Sequence, residues 1–494
     1  MSATATTTRT DVLIIGAGFS GVGIGVHLER ETDQRYVILE RGHTVGGAWR
    51  DNTYPGAECD VPSHLYSYSF ALNPNWTKMH AQQPEILEYM QGVAEAEGVL
   101  PHIRFNANAD SIRWDDDRKL WVAKSGDEVF EAAALVMATG YLSDAKFPDV
   151  PGIDSFQGAL FHSAEWDHSV ELTGKRVALI GSGASAIQIM PEVAKVAEQL
   201  VVIQRSAAYV TPRHDPHYTE AQKRMFARRP ELMKRIREDL FWANEERYAQ
   251  RRGTQTLIDT VTKAALGHLA NQIPEGPLRD KLTPDYTIGC KRILKSNDYY
   301  PAFLGDNVEL VTGGVSAITP TGIVGADGVE HQVDVIISAT GFEATDIPMA
   351  HHTYGRDGRT LHEHWDRGME AYKTTAVSGF PNMWFLKGPN TGLGHNSAIY
   401  IAEAQMEYVF EALKRAHAGE VLEVRADEQE AYMEELEQLS AGTVWLSGGC
   451  SSWYVDPRSG RLTTLWPDFS FTFREVNSSF AADAYEIEQA GVAA

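Results

Sequence analysis

Two copies of one strand–turn–helix pattern constrain this chain more than any other feature. The first runs from the apolar stretch Asp11 to Ile15 into Gly16-Ala17-Gly18-Phe19-Ser20-Gly21, then a helix-compatible segment to Leu28 and Glu29, then a second apolar stretch, Tyr36 to Glu40, that ends on a carboxylate. Together these parts make one βαβ unit of the dinucleotide-binding kind. Gly16 permits the tight turn, Gly18 lets the backbone approach a pyrophosphate at the helix N-terminus, and Gly21 lets helix and strand pack closely. The second copy runs from Arg176 to Ile180 into Gly181-Ser182-Gly183-Ala184-Ser185-Ala186, followed by a helix to about Gln199 and a strand over Leu200 to Gln204. Gly16 to Glu40 and Gly181 to Arg205 both span 24 positions, so an arginine stands in the second unit where the first has its acid. A carboxylate suits a free ribose 2′-hydroxyl, as on FAD or NAD; Arg205 with Ser206 beside it suits a 2′-phosphate. The expected fold is therefore α/β, with two Rossmann-like dinucleotide-binding domains, a flavin-type site first and an NADPH site second.

Leu135 to Gly140 and Val335 to Gly341 are short apolar strands that both end in Ala-Thr-Gly, one after each nucleotide unit. They are expected at a sheet edge, where the backbone of Thr139 and Gly140 can approach a nucleotide. About 217 to 281 reads as helices interrupted at Pro230, Gly253, Pro274 and Pro277. Further helices are expected over about Ile399 to His417 and Asp427 to Leu439, then an aromatic, strand-like tail around Trp445 to Arg474. No low-complexity linker separates these parts, so the domains should interleave: residues 1–150 and 350–494 as the flavin domain, and 151–349 as the NADP domain with a helical insertion at about 215–285.

Charge and cysteine content narrow the function. The 494 residues hold 67 acidic and 44 basic side chains, a net charge of −23, which argues against nucleic acid as a partner. Residues 217–281 depart from this with 13 Lys/Arg against 9 Asp/Glu. Either these are solvated helix faces or they form a cap that walls a substrate cavity. No apolar run approaches the ~20 residues that cross a bilayer, and Met1 to Thr10 lacks the pattern of a secretory signal, so a soluble cytoplasmic protein is expected. Cys59, Cys290 and Cys450 lie far apart with no CxxC pair, which speaks against a dithiol centre, a cysteine zinc cluster and a disulfide framework. His351 and His352, or His362 and His364, lack an acid or third histidine at a recognisable spacing, so no metal is expected. Electrons from NADPH and flavin are left with dioxygen, a diffusible acceptor or a protein partner.

Two segments choose among these. Gly46 to Asp60 is a loop of small, aromatic and acidic residues that includes Gly47 and Trp49; Phe156, Gly158, His162, Trp166 and Asp167 fit FxGxxxHxxxW(P/D) at every fixed position. Both resemble the fingerprints of the Baeyer-Villiger monooxygenases, class B flavoproteins. With the glycine motifs and the Ala-Thr-Gly strands, the resemblance spans most of Asp11 to Phe342. It implies that NADPH reduces FAD, that reduced flavin and dioxygen form a C4a-peroxyflavin, and that this attacks a ketone to give an ester or lactone. It also implies roles for particular residues. Arg292, in Lys291-Arg292 after the insertion and before Asp298-Tyr299-Tyr300, would stabilise the developing negative charge, and Asp60 would hold it in place. Lys291 would join Arg205 and Ser206 on the 2′-phosphate. Trp453 would sit on a loop touching NADP, Trp49 and Tyr66 would line the flavin, and His162 and Trp166 are expected to be structural rather than proton-transferring. The surroundings of Trp453 and the stretch Gly388 to Ser397 depart from the best-known cyclic-ketone members. Three other readings stay open at this level. A relative could oxygenate sulfur or nitrogen, with a thioether as substrate; the chain could be an electron-transferring reductase or oxidase; or it could be a catalytically silent flavin-binding protein. Oligomeric state is not legible.

Overall fold

The computed structural model describes residues 6–490. The first half of the stretch examined for a signal, and the outermost residues of the expected flavin domain, lie outside the described residues.

Strand Thr6–Ile15 forms the middle of an eight-stranded sheet. It pairs in parallel with Tyr36–Glu40 on one side, Val12 opposite Tyr36, and with Glu128–Met137 on the other, Val12 opposite Ala134. Its side chains alternate between two cores: Val12 and Ile14 enter one, Leu13 and Ile15 the other. A strand buried on both faces must read as a near-continuous apolar run, as this one does from Val12 to Ile15. Ile103–Phe105 extends the sheet beyond Tyr36–Glu40, and the antiparallel strands Ser111–Asp115 and Leu120–Ser125 extend it beyond Glu128–Met137. The chain returns late to this sheet: Thr353–Tyr354 pairs with Ser111–Asp115, and Met383–Phe385 with the end of Glu128–Met137. Helix Ala398–His417 lies on helix Phe19–Glu31 so tightly that a Cβ at Gly23 would stand 2.4 Å from the Met406 methyl carbon.

The second sheet is wholly parallel, in the order Val308–Thr312, Gln199–Gln204, Arg176–Ile180, Val335–Ser338, Ala159–His162. Val177 and Leu179 enter one core and Ala178 and Ile180 the other. Within the second copy, between Gln199–Gln204 and Val308–Thr312, runs a set of helices, Glu220–Arg228, Pro230–Glu245, Tyr248–Arg251, Gln255–Gln272 and Pro277–Leu282. Their boundaries fall at the breakers read in the sequence, with Pro230 and Pro277 at first helical positions, where a missing N–H costs nothing. Among the described residues, no helix is long and apolar enough to cross a membrane.

Several expectations are corrected. The Ala-Thr-Gly strands are interior: Val335–Ser338 lies between Arg176–Ile180 and Ala159–His162, and Glu128–Met137 beside the central strand. Their positions serve the glycine turns, since a Cβ at Gly16 would meet the Ala138 oxygen at 2.8 Å and one at Gly181 the Ala339 oxygen at 2.5 Å. The C-terminal aromatic tail is not strand-like. It holds helices Val444–Ser447 and Ser470–Asn477 with isolated bridges such as Val455 to Leu462, because Gly448, Gly449, Pro457 and Pro467 break any extended run while Trp445, Tyr454 and Trp466 are buried one by one. The cysteines are also corrected: Cys290 and Cys450, 160 positions apart, form a disulfide, while Cys59 is free and buried. Nothing in their spacing pointed to it, because only the fold brings these segments together. Finally, Asp346 is the acid missing from the histidine spacing: it accepts from His351 and His362, each at 2.9 Å, and the two rings stack.

Reducing the Cys290–Cys450 bond, or replacing Cys450 by serine, is expected to lower the melting temperature. The bond closes a loop of 160 positions, and a cross-link over a loop of that order contributes roughly 4–5 kcal/mol by the chain-entropy argument. Melting curves with and without dithiothreitol check this; coincident curves would show that the tether adds nothing.

Candidate active site

The first glycine turn makes a bare backbone cradle. Gly18 and Gly47 face each other, with a Cβ on Gly47 only 3.2 Å from the Gly18 Cα, and helix Phe19–Glu31 begins at Gly18 with no side-chain cap. Its first N–H groups are therefore free for an anion. Gly21 must be glycine because a Cβ there would lie 1.9 Å from the Gly16 oxygen. Glu40, 3% exposed, ends the second strand and accepts from the Ala17 and Gly42 amides at 2.8 and 2.7 Å and from Arg50 at 2.6 Å. Each carboxylate oxygen has two lone pairs, so Glu40 retains capacity for a ribose diol. Trp49 donates through Nε1 to the Tyr66 hydroxyl at 3.0 Å, and Tyr66 in turn packs edge-on against Phe19, next to the turn. Ser20 is buried in the helix's first turn, and Thr139 and Gly140 follow the carbonyl that backs Gly16. A glycine-lined cradle, an uncapped helix and a terminal carboxylate fit a flavin dinucleotide.

The second turn has the same construction with different chemistry at its far end. Helix Ala184–Ala194 starts at Gly183 without a side-chain cap, Gly183 has open space where a Cβ would be, and Ala186 replaces the third glycine, fully buried. Ser182 Oγ donates to the Ser206 carbonyl at 2.8 Å, Lys291 Nζ to Ser206 Oγ at 2.6 Å, and Arg205 is exposed beside them. Burial and the neighbouring charge of Arg205 pull the Lys291 ammonium below its ordinary range. Two cations and a hydroxyl, with no ion pair to either cation among the described residues, have the chemistry that suits a phosphate. Ser185 lies in the first turn of the helix.

Beyond the second cradle, the chain leaves through strand Val210–Thr211 into the helices and returns through Leu294–Lys295, which pairs with it in parallel. Arg292 precedes this return strand. Its guanidinium grips Asp60 with two bonds, Nε to Oδ2 at 3.0 Å and Nη2 to Oδ1 at 2.7 Å, and its side chain stays 44% exposed to the cavity. Lys295 Nζ donates to the Asp60 carbonyl at 3.0 Å, and Arg213 to that of Cys59 at 2.8 Å, pinning the loop. Burial alone would push the Asp60 carboxyl up, but the charges of Arg292 and Lys295 hold it below its usual range; Asp60 in turn raises Arg292. Both partners stay charged, and Arg292 is aimed into a cavity of about 500 Å³.

Residues 13–229 match the pyridine nucleotide-disulphide oxidoreductase family model. A Baeyer-Villiger monooxygenase of Pseudomonas aeruginosa is 44% identical over 98% of this chain and 92% of its own length. The chain belongs to the Baeyer-Villiger monooxygenase family. A second member, from Streptomyces coelicolor, is 42% identical over 96% of this chain and 92% of its own. The solved structure of cyclohexanone monooxygenase from Rhodococcus sp. Phi1 bound to NADP+ superposes with a TM-score of 0.87, at 27% identity, over 98% of this chain and all of that one. The resemblance read from the fingerprints is confirmed.

The second fingerprint has a packing rationale in this chain. A Cβ at Gly158 would lie 2.3 Å from the Asp334 oxygen and 2.7 Å from the Phe156 ring, and Trp166 packs edge-on against Phe161. His162 is fully buried at a strand end, accepts from the Ala164 amide through Nδ1 at 3.1 Å, and sits between the rings of Phe147 and Phe342. Trp453, 40% exposed, lies 6.1 Å from Tyr141 on the segment that the disulfide ties to the residue before Lys291. Sequence reasoning missed Lys295, Arg213 and Arg251. Arg251 and Lys295 line the same cavity as Arg292, and the local surplus of basic residues around Arg251 was the available signal.

Burial pulls His64, His80 and His162 each down to about 4 from an ordinary 6.5. The unfolded chain takes up these protons near pH 6.5 and the folded one only near 4, so stability is complete above pH 6.5 and falls as pH drops through that window. Melting temperatures measured against pH are expected to decline there, and His162→Gln to flatten part of the decline. An unchanged slope in the variant would count against a buried neutral His162.

Proposed function

We propose that this chain is a cytoplasmic NADPH- and dioxygen-dependent FAD monooxygenase that inserts one oxygen atom beside a ketone carbonyl, giving an ester or lactone. Its FAD-binding part would comprise residues 1–150 and 350–494, and its NADP-binding part 151–349. The observation that supports the reaction most directly is Arg292, held bidentately by Asp60 and open to the cavity that the helical insertion and the Leu393–Asn396 stretch line.

Gly16, Gly18, Ser20, Gly21 and Gly47 would hold the FAD pyrophosphate, Glu40 its ribose, and Trp49, Tyr66, Thr139 and Gly140 the neighbouring parts. Gly181, Ser182, Gly183, Ser185 and Ala186 would hold the NADPH pyrophosphate, and Arg205, Ser206 and Lys291 its 2′-phosphate. When bound, the flavin supplies activated oxygen using electrons from NADPH. The protein's task is then electrostatic and geometric. As oxygen adds to the ketone, negative charge builds on the carbonyl oxygen. Arg292 presents a guanidinium already oriented by Asp60, so no reorganisation is needed as that charge appears, and partial exclusion of water strengthens the attraction. Asp60 acts through Arg292, and Lys295 acts by fixing the backbone of Asp60. His162, neutral and enclosed, moves no proton and positions the second sheet.

The test is turnover with NADPH, isotopically labelled dioxygen, and a ketone supplied together with a thioether. The expected product is an ester carrying one labelled oxygen. Labelled sulfoxide without ester would favour the sulfur-oxygenating alternative, and NADPH consumption with hydrogen peroxide as the sole product would overturn the monooxygenase reading.

A further inference from the structure

Among the described residues, three arginines are buried: Arg50, Arg213 and Arg251. Arg50 lies 2.6 Å from Glu40, and Arg213 lies 3.1 Å from Glu58. Arg251, 6% exposed, has no such partner; its protein contact is a bond from Nη2 to the Gly394 carbonyl at 2.9 Å. A guanidinium does not escape the cost of burial by losing its proton, so a buried one without a counter-charge is a charge awaiting an anion.

Arg251 faces the same cavity of about 500 Å³ as Arg292, with Arg247 and Lys295 as further cations and Asp60 and Glu246 as the carboxylates. Asp60 is already engaged by Arg292 at 2.7 Å. Arg247, one helical turn before Arg251 and exposed at the cavity rim, shares its lack of an ion-pair partner among the described residues, and burial pulls the Arg251 guanidinium below its ordinary range. Within a chain of net charge −23 this is a local reversal of sign. The phosphates of NADPH do not call for it, since the cluster around Ser206 and the uncapped start of helix Ala184–Ala194 answer them. Leu257, Val261, Ile293 and Leu393 give the cavity an apolar wall between its charged groups.

We propose that the substrate of this site is a ketone that carries a carboxylate: the carboxylate meets Arg251 and Arg247, the carbon chain lies on the apolar wall, and the carbonyl faces Arg292. This rests on the ketone monooxygenase reading. It names the substrate class as keto acids, with a planar oxyanion matched to the guanidinium fork.

The experiment compares kcat/KM of the FAD-loaded enzyme for methyl-ketone carboxylic acids of graded chain length, from levulinate upward, with that for their methyl esters. At the best length the acid should be preferred roughly 10- to 100-fold, the range of one charge-assisted bond. That preference should collapse toward unity in Arg251→Gln and in Arg247→Gln; the second, whose side chain is not enclosed, keeps the test open if the first fails to fold. Heptanoate, which has no ketone, should inhibit competitively where heptanol does not. Equal use of acid and ester at every length overturns the proposal while leaving the monooxygenase reading intact. So does an unchanged acid-to-ester ratio in both variants together with a raised KM for NADPH, which would assign the arginines to the coenzyme. Failure to oxygenate any ketone, acid, ester or simple, is a failure of the underlying reading instead.

Discussion

Arg292→Ala is expected to yield a protein that folds, binds FAD and oxidises NADPH, but forms ester roughly a hundred to a thousand times more slowly, the usual loss when one preorganised donor is removed from a developing oxyanion. The electrons do not vanish, so hydrogen peroxide should rise to account for the NADPH consumed. The folding expectation follows from the local geometry: the side chain is 44% exposed, and the loop around Asp60 keeps its other ties through Lys295 and Arg213. Asp60→Asn should move in the same direction by less, because an amide still accepts one bond from Arg292 while giving up the charge that raises it. The check is product by gas chromatography beside peroxide and NADPH on the same samples. Near-native ester formation by Arg292→Ala would remove the residue from the mechanism, and loss of bound flavin would make its role structural.

What could be read from the chain and what could not divide along a physical line. The cradles were legible because a backbone that must turn at φ +102 at Gly16 and +128 at Gly181, against the Ala138 and Ala339 carbonyls, leaves glycine at fixed spacing in the sequence. The helices of the insertion were legible because Pro230, Gly253 and Pro277 punctuate them locally. Strand neighbours were not, since nothing within Val335–Ser338 records that it runs between two other strands. Neither was any pairing whose partners lie far apart in the chain. Cys290 with Cys450, Arg251 with Gly394 and Asp60 with Lys295 are each separated by more than a hundred positions. The bond between Arg292 and Asp60 was anticipated through family resemblance, and residue chemistry alone would have passed over a Lys-Arg dipeptide. The aromatic tail shows the opposite hazard: β-favouring composition suggested a strand, but single burial of Trp445, Tyr454 and Trp466 between glycines and prolines uses the same residues without any ladder.

The coenzyme preference gives the second large effect. Lys291 Nζ lies 2.6 Å from Ser206 Oγ, Arg205 is beside it, and neither forms an ion pair among the described residues, so their favourable partner is a doubly charged phosphate brought by the coenzyme. Each charge-assisted bond to phosphate contributes about 1.5–3 kcal/mol, which is about 10- to 100-fold in affinity. The double variant Arg205→Ala with Lys291→Ala should therefore raise the KM for NADPH by about 100-fold or more, while the KM for NADH changes little and flavin content stays the same. The ratio of the two coenzymes separates this from general damage to the fold: a misfolded nucleotide domain would weaken both, whereas loss of a phosphate site weakens only the phosphorylated one. High ionic strength should erode the native preference in the same direction, since Arg205 is exposed and its attraction is screened. If NADPH and NADH lose affinity in parallel, the 2′-phosphate is held elsewhere, and the arginine that replaces the acid 24 positions after Gly181 has no part in choosing the coenzyme.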